Sequence, residues 1–167
     1  MPRQEVIRKA KQDKRAGKSA STQAGEFVKD QIDKIRKGKH GARSTKQAIA
    51  IGLSEARRAG VDLPPPRKGR TKKSTRRSAK YAYEAGQGKR TPKRRPKVSR
   101  AVENVLKKEP RSTASRNALS KQAKSAASRR SAASRSAAAR KASRTKGAKA
   151  RSAAAKKAAR TRARRRS

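Results

Sequence analysis

The residues that could do chemistry in this sequence are mostly cations. The chain carries 53 lysine and arginine residues against 10 aspartate and glutamate residues, a formal net charge of +43 on 167 residues. So many like charges repel one another, so we expect a polyanionic partner to neutralise them. Nucleic acid is a commoner partner of this kind than an anionic membrane. A membrane is the alternative, but the longest apolar stretch, residues 48–53, is far shorter than the roughly 20 residues that span a bilayer.

Other kinds of chemistry find few residues to carry them. The chain has no cysteine, so it has neither a disulfide framework nor a thiolate metal site. His40 is the single histidine, and without cysteine partners it makes a zinc site improbable. The carboxylates form no motif for general acid and base catalysis, and no glycine-rich phosphate loop appears. We therefore expect no enzyme activity, no cofactor and no metal.

The compartment follows from the same observations. The absence of cysteine fits a cytosolic or nucleoid location. The first residues alternate in charge without an apolar core, so no signal peptide is expected. The sequence therefore predicts a cytoplasmic, nucleoid-associated protein with a nucleic-acid partner and no membrane partner.

Positive charge rises along the chain. Residues 1–66 have a net charge of +9, residues 67–110 of +14, and residues 111–167 of +20 with no acidic residue. Neutralising phosphates needs only cations within reach, so we expect nucleic-acid contacts from all three regions. The candidate residues are Lys39, Arg43, Lys46, Arg76, Arg77, Arg94, Arg95, Arg129, Arg130, Arg140, Lys141, Lys156, Lys157, Arg164, Arg165 and Arg166.

Two amphipathic patterns predict an αα-hairpin that would carry the head of the protein. The first covers residues 23–37, begins after Ser21 or Thr22 and ends at Gly38. The second covers residues 45–59. The apolar stripes are Ala24, Phe27, Val28, Ile32 and Ile35 in the first helix, and Ala48, Ile49, Gly52, Leu53 and Ala56 in the second.

Polar residues mark where the second helix begins and ends. Ser44 is its N-cap, Gln47 follows at the spacing of a capping box, and Gly60 ends the helix. A weaker third helix over residues 3–15 is expected only if it docks on the hairpin. The core of this head, residues 1–63, is thin, and homo-oligomerisation through the head could thicken it.

The start of the second helix is a candidate phosphate site. Lys39, His40, Arg43 and Lys46 lie around the helix N-terminus, where free N–H groups and the helix dipole favour an anion. A docked backbone phosphate and a set of solvated loop charges both fit this pattern. A helix-turn-helix that reads bases is a weaker alternative, because the apolar residues of the hairpin are used by its own core.

The rest of the chain has the composition of a linker and a tail. Residues 64–98 are rich in proline, glycine and cations, typical of an extended linker, with a short helix around residues 80–85. A short helix is also expected within residues 99–110. Tyr81 and Tyr83 lie two apart and cannot share a helix face; they are either stacking platforms for bases or linker aromatics.

Residues 111–167 form a low-complexity tail of alanine, serine, lysine and arginine. The segment RSAAARKASRTKGA (residues 135–148) recurs sixteen residues later as RSAAAKKAARTRAR (residues 151–164), with nine of fourteen positions identical. Because like charges in neighbouring turns oppose a helix, we expect a largely disordered or conditionally helical tail that gains helix on phosphates. The predicted fold class is therefore mainly α, with a small helical head and a basic tail.

Three segments carry a family resemblance. They are GKHGARSTKQAIAIGLSEARRAGVDLPPP (residues 38–66), KSASTQAGEFVKDQIDKIRKG (residues 18–38) and ALSKQAKSAASRRSAASRSAAARKA (residues 118–142). Over these segments the chain resembles a family of small, basic, uncharacterised bacterial proteins, some labelled plasmid-stabilisation proteins. The resemblance transfers no catalytic residue. The tail separately resembles the C-termini of linker histones and their bacterial analogues.

Composition and resemblance together predict sequence-independent binding and compaction of DNA, in nucleoid organisation or plasmid maintenance, with DNA preferred over RNA. Two alternatives stay open. One is an RNA-binding or ribosome-associated protein, because charge density does not distinguish the two nucleic acids. The other is an adaptor in which the helix over residues 45–59 recruits a protein partner while the tail only localises it.

Overall fold

Helices follow one another along most of the chain in a computed structural model, which describes residues 3–93 and 95–164. Seven are α-helices and one is a 3₁₀ turn at Ser112–Ala114. The α-helices are α1 (Gln4–Arg15), α2 (Ala20–Arg36), α3 (Thr45–Arg58), α4 (Lys73–Gly86), α5 (Pro96–Lys108), α6 (Arg116–Ser128) and α7 (Ala132–Arg164). The chain divides into two compact units, Met1–Gln122 and Ala123–Ser167.

The tail is helical, so the prediction of a largely disordered segment after residue 111 is wrong. Alanine is the strongest helix former, and its summed propensity over α6 and α7 outweighs the repulsion between solvent-exposed cations. Serine hydroxyls also cap both helices. Ser115 Oγ accepts from the Ala118 N–H at 3.2 Å, and Ser131 Oγ accepts from the Ser134 N–H at 3.2 Å.

α7 is interrupted once, at Gly147. This residue has φ 67° and ψ 166°, a backbone conformation almost confined to glycine. Gly147 is the penultimate residue of the first repeat copy, residues 135–148, and the second copy begins four residues later at Arg151. The break therefore falls at the end of the first copy, so residues 135–146 lie before it and the whole second copy lies after it.

The first unit is built on the packing of α2 against α3. α1 docks on α2, and Val6 and Ala10 are buried in one apolar cluster with Ala24, Phe27, Ala56 and Val61. An ion pair fixes this docking, because Arg3 Nη2 lies 2.9 Å from Oδ1 of the buried Asp30. The weak helix predicted for residues 3–15 thus forms with the support of a neighbour.

α2 begins earlier than its apolar pattern indicates. The helix starts at Ala20, with Ser19 extended in front of it, rather than at residue 23 after Ser21 or Thr22. Gln23 Nε2 donates to the Lys18 carbonyl at 2.8 Å, so that side chain folds back over the preceding turn instead of following the helix start. The Ser19 hydroxyl bonds only to neighbouring exposed hydroxyls.

The predicted N-cap of α3 is confirmed. Ser44 Oγ accepts from the Gln47 N–H at 3.2 Å, and Gln47 Oε1 accepts from the Arg43 N–H at 2.7 Å. The return bond of this capping box therefore reaches one residue further back than Ser44 itself. Thr45, the first helical residue, donates through Oγ1 to the Thr113 carbonyl at 2.7 Å.

Replacing Ser44 by alanine should lower the free energy of unfolding by about 1 kcal/mol, because the Gln47 N–H loses its acceptor. Ser19→Ala is the matched control, since Ser19 occupies the same position before α2 but makes no cap bond. That variant should change stability by only a few tenths of a kcal/mol. Urea denaturation of both variants measures the difference. Equal losses would show that the Ser44 bond does not contribute.

The region after α3 holds a longer helix than the sequence predicts. α4 spans Lys73–Gly86 instead of residues 80–85, because Ala79 and Ala82 are buried against α3 and extend the helix by tertiary packing. Arg57, near the end of α3, bonds to the segment that connects α3 to α4. Its Nε donates to the Leu63 carbonyl at 3.0 Å, and burial lowers the pKa of this guanidinium.

The last turn of α5 and the residues after that helix return to the head over a long sequence separation. The Gly41 N–H donates to the Leu106 carbonyl at 2.7 Å, and Arg36 Nε donates to the Ala114 carbonyl at 2.9 Å. Ala114 is fully buried with Ile32 and Ile35. The first unit therefore closes around a second apolar cluster that needs residues on both sides of α5.

Candidate nucleic-acid interface

α7 presents cations on all of its sides. Its sequence contains no acidic residue, and none of its residues whose exposure is described is buried. Its apolar residues are all alanines, distributed around the axis without forming a stripe. A helix of this kind has no apolar face to pack against a protein core, and its cationic side chains are exposed to solvent wherever their exposure is described.

The candidate residues of the tail lie on or beside this helix. Arg129 and Arg130 lie between α6 and α7, and all of the candidates described here are solvent-exposed. Two pairs stand at equivalent repeat positions, because Arg140 and Lys141 of the first copy correspond to Lys156 and Lys157 of the second. Arg164 ends α7. Arg165 and Arg166 lie outside the described residues, as does Arg94.

The candidate residues of the linker fall at two places. Arg76 and Arg77 are exposed in α4, on the turn before the buried Ala79. Arg95 is exposed and directly precedes α5. Lys39, Arg43 and Lys46 are exposed around the start of α3.

The start of α3 offers an anion fewer donors than its sequence indicates. The Arg43 and Gln47 N–H groups already donate to side chains of the cap. The segment at Pro110 and Thr113 also lies against this end, since the Ala42 N–H donates to the Pro110 carbonyl at 3.2 Å. The predicted phosphate site therefore keeps its surrounding cations, but part of its backbone is occupied by the protein itself.

His40 is turned toward the head instead of joining those cations. Its Nδ1 lies 2.9 Å from the Gly41 carbonyl oxygen, and its Nε2 lies 3.1 Å from Gln31 Oε1. The amide of the buried Gln31 in turn donates to Glu55 Oε2 at 2.7 Å. The ring thus ends a hydrogen-bonded chain that ties the α2–α3 connection to both helices.

One feature that sequence reasoning missed is a cleft beside α4. It has a volume of about 510 Å³ and is lined by Tyr81, Arg90, Thr91, Lys93 and Arg95. The guanidinium carbon of Arg90 lies 5.0 Å from the centroid of the Tyr81 ring. The pairing was not predictable from spacing, because Arg90 lies beyond the end of α4 in a loop whose path depends on tertiary structure.

Residues 3–93 and 95–164 contain no group of three histidine, aspartate or glutamate side chains able to hold a metal ion. Within the same ranges, every helix is too short or too polar to cross a bilayer.

Comparison with known proteins gives one similarity. Residues 11–68 match the model of a family of unknown function (DUF6496), a range that runs from within α1 through α2 and α3 to the segment before α4. This range is about a third of the chain. Searches of curated proteins and of solved structures returned no significant match. The similarity therefore concerns the head of the protein and leaves α4–α7 without a counterpart.

Proposed function

We propose that this protein binds duplex DNA independently of sequence and compacts it, in nucleoid organisation or plasmid maintenance. The first unit, residues 1–122, would be a folded body that includes the head, and residues 123–167 would be the arm that neutralises phosphates. The observation that carries the proposal is α7, an acid-free helix with cations on every side and no apolar face. A polyanion that runs alongside a helix of this composition neutralises its cations and releases the counterions of the phosphates, which favours binding.

The length of α7 suits a duplex. Its two segments, before and after Gly147, are roughly 22 and 26 Å long at 1.5 Å per residue. Each is shorter than the approximately 34 Å of one DNA turn, so each can lie along one stretch of groove. The side chains are mainly alanine, serine, lysine and arginine, and cations all round the helix contact phosphates in many orientations. This arrangement supports affinity without base readout.

DNA is favoured over RNA by groove geometry. The major groove of B-form DNA is about 12 Å wide and admits an α-helix. The major groove of A-form RNA is deep and narrow and excludes side chains. The adaptor alternative, in which the helix over residues 45–59 recruits a protein, has less support because α3 packs against both α2 and α4.

The proposal is tested by titrating the full-length chain on two duplex DNAs of unrelated sequence and on a structured RNA of equal length, over a salt series. We expect equal affinity for the two DNAs and weaker binding to the RNA. The logarithm of the binding constant should fall linearly with the logarithm of salt concentration, at about −0.9 per phosphate neutralised. Tighter binding to RNA at every salt concentration would support the RNA alternative, and a thousandfold preference between the DNAs would overturn sequence independence.

A further inference from the structure

Charged side chains surround the ring of Tyr81 and fix what lies on one of its faces. The ring is 36% exposed on α4, and Arg90 lies over one face of it in a cation–π contact of 5.0 Å. Glu84 holds that guanidinium, since Arg90 Nε lies 3.4 Å from Glu84 Oε2. Lys80 approaches the other oxygen of the same carboxylate at 3.5 Å. The arginine is thus placed beside the ring by two independent contacts.

The cleft next to this pair combines an aromatic wall with cations. Arg90, Lys93 and Arg95 contribute three positive charges to its lining, and Tyr81 contributes the aromatic surface. Its volume of about 510 Å³ lies within the range of small-ligand sites. A planar group carrying phosphates on either side of it would satisfy both properties of this lining.

Tyr83 provides a contrast within the same helix. Its hydroxyl donates to Asp62 Oδ1 at 2.7 Å, and this bond raises the pKa of the phenol. The side chain is half-buried and ties α4 to the segment that follows α3. Tyr83 therefore has a structural role that Tyr81 lacks.

We propose that the Tyr81 cleft binds an unpaired nucleobase, which stacks on the tyrosine ring while Arg90, Lys93 and Arg95 neutralise the neighbouring phosphates. A base within a duplex is already stacked on both faces, so the ligand class is single-stranded nucleic acid. The inference rests on the proposed function, since it adds a site for exposed bases to a protein that coats DNA. It assigns the first unit a stacking contact with bases that the tail, without aromatic residues, cannot make.

The test exploits the composition of the chain, which has two tyrosines and no tryptophan. Tyr83→Phe leaves Tyr81 as the single tyrosine, and Tyr81→Phe leaves Tyr83. Each variant is titrated with a twelve-nucleotide thymidylate strand and with an abasic strand carrying the same number of phosphates. We expect the fluorescence of Tyr81 to be quenched by the thymidylate strand and much less by the abasic one. The fluorescence of Tyr83 should not distinguish the two strands.

Affinity gives a second measurement that does not depend on Tyr83→Phe remaining folded. In the otherwise native chain, Tyr81→Leu should reduce the ratio of thymidylate to abasic affinity roughly 5- to 150-fold, the range for stacking of one base on one aromatic ring. Tyr81→Phe should keep that ratio. A ratio near one for the native chain, or one unchanged by Tyr81→Leu, would overturn the base site. Loss of duplex binding by the native chain would instead refute the proposed function, so the two failures are distinguishable.

Discussion

Removing residues 129–167 should flatten the salt dependence of duplex DNA binding more than any other change to this protein. The deletion takes away 16 of the 53 cations and no acidic residue. If half of those cations contact phosphates, the slope of log binding constant against log salt becomes shallower by about 7, at 0.9 per phosphate. Gel-shift titration of the full-length and shortened chains over one salt series measures the change. An identical slope for the two chains would remove the tail from the mechanism.

The position of the cut follows from the structure. A deletion beginning at residue 111 would remove Thr113, Ala114 and Leu119, which pack on the head or bond to it. Ending the chain after Ser128 keeps these contacts and leaves α6 whole. Circular dichroism and the urea midpoint of the shortened chain serve as controls for folding.

A finer comparison uses the repeat. Arg140, Lys141, Lys156 and Lys157 stand in equivalent pairs, so replacing all four by glutamine should reduce the slope by up to about 3.6. Replacing either pair alone should give half of that reduction. A strong difference between the pairs would show that the two copies do not bind alike.

Gly52→Ala should destabilise the packing of α2 against α3. A Cβ at position 52 would lie 2.7 Å from Val28 Cα and 2.9 Å from Val28 N, so the backbone of α2 would have to move. Overpacking of this kind costs about 1–3 kcal/mol, and we expect the upper part of that range because backbone cannot rotate away. The gain in helix propensity, about 1 kcal/mol, offsets only part of it.

Gly25→Ala is the matched control for this substitution. Gly25 lies in α2, is exposed, and has no atom within 4 Å of its would-be Cβ. The same change there should raise the free energy of unfolding by about 0.5–1 kcal/mol. Urea unfolding followed by tyrosine fluorescence reports on the first unit, since both tyrosines belong to α4, which packs against α3. Effects of equal sign at the two positions would contradict the close contact between α2 and α3.

The elements that could be predicted are those that local signals determine. The range and cap of α3 followed from Ser44, Gln47 and Gly60, because capping depends on residues within one turn. Gly52 was placed on the apolar stripe by its spacing, although the approach of Val28 to it was not visible. What sequence does not reveal is how closely two backbones come together.

Contacts between distant residues account for most of what was missed. The bonds from Thr113 and Ala114 to the head join residues about seventy positions apart, and no local pattern marks them. The burial of Arg57 among backbone carbonyls is equally invisible, because an arginine in a basic chain gives no sign of being internal. The extent of α4 depends on α3 for the same reason.

The prediction for the tail was wrong because it gave too much weight to the repulsion between cations and too little to the helix propensity of alanine. Repulsion between cations acts through solvent and is weakened by salt, whereas the helix propensity of alanine acts at every residue. The serines at 115 and 131 were not recognised as N-caps, yet they begin α6 and α7. The candidate cations were selected from composition alone, and their contacts with nucleic acid stay a prediction.

If α7 binds duplex DNA as proposed, the break at Gly147 would divide it into two binding segments. A straight helix of 33 residues would be a rod of about 50 Å, which would leave a curved groove well before its end. The two short helical segments joined at Gly147 would act as tethered ligands. Once the first segment has bound, the second is confined to a small volume, where its effective concentration reaches millimolar for short linkers. The second segment can then settle further along the same duplex or on a neighbouring one, and the latter choice would cross-link DNA without any contact between protein molecules.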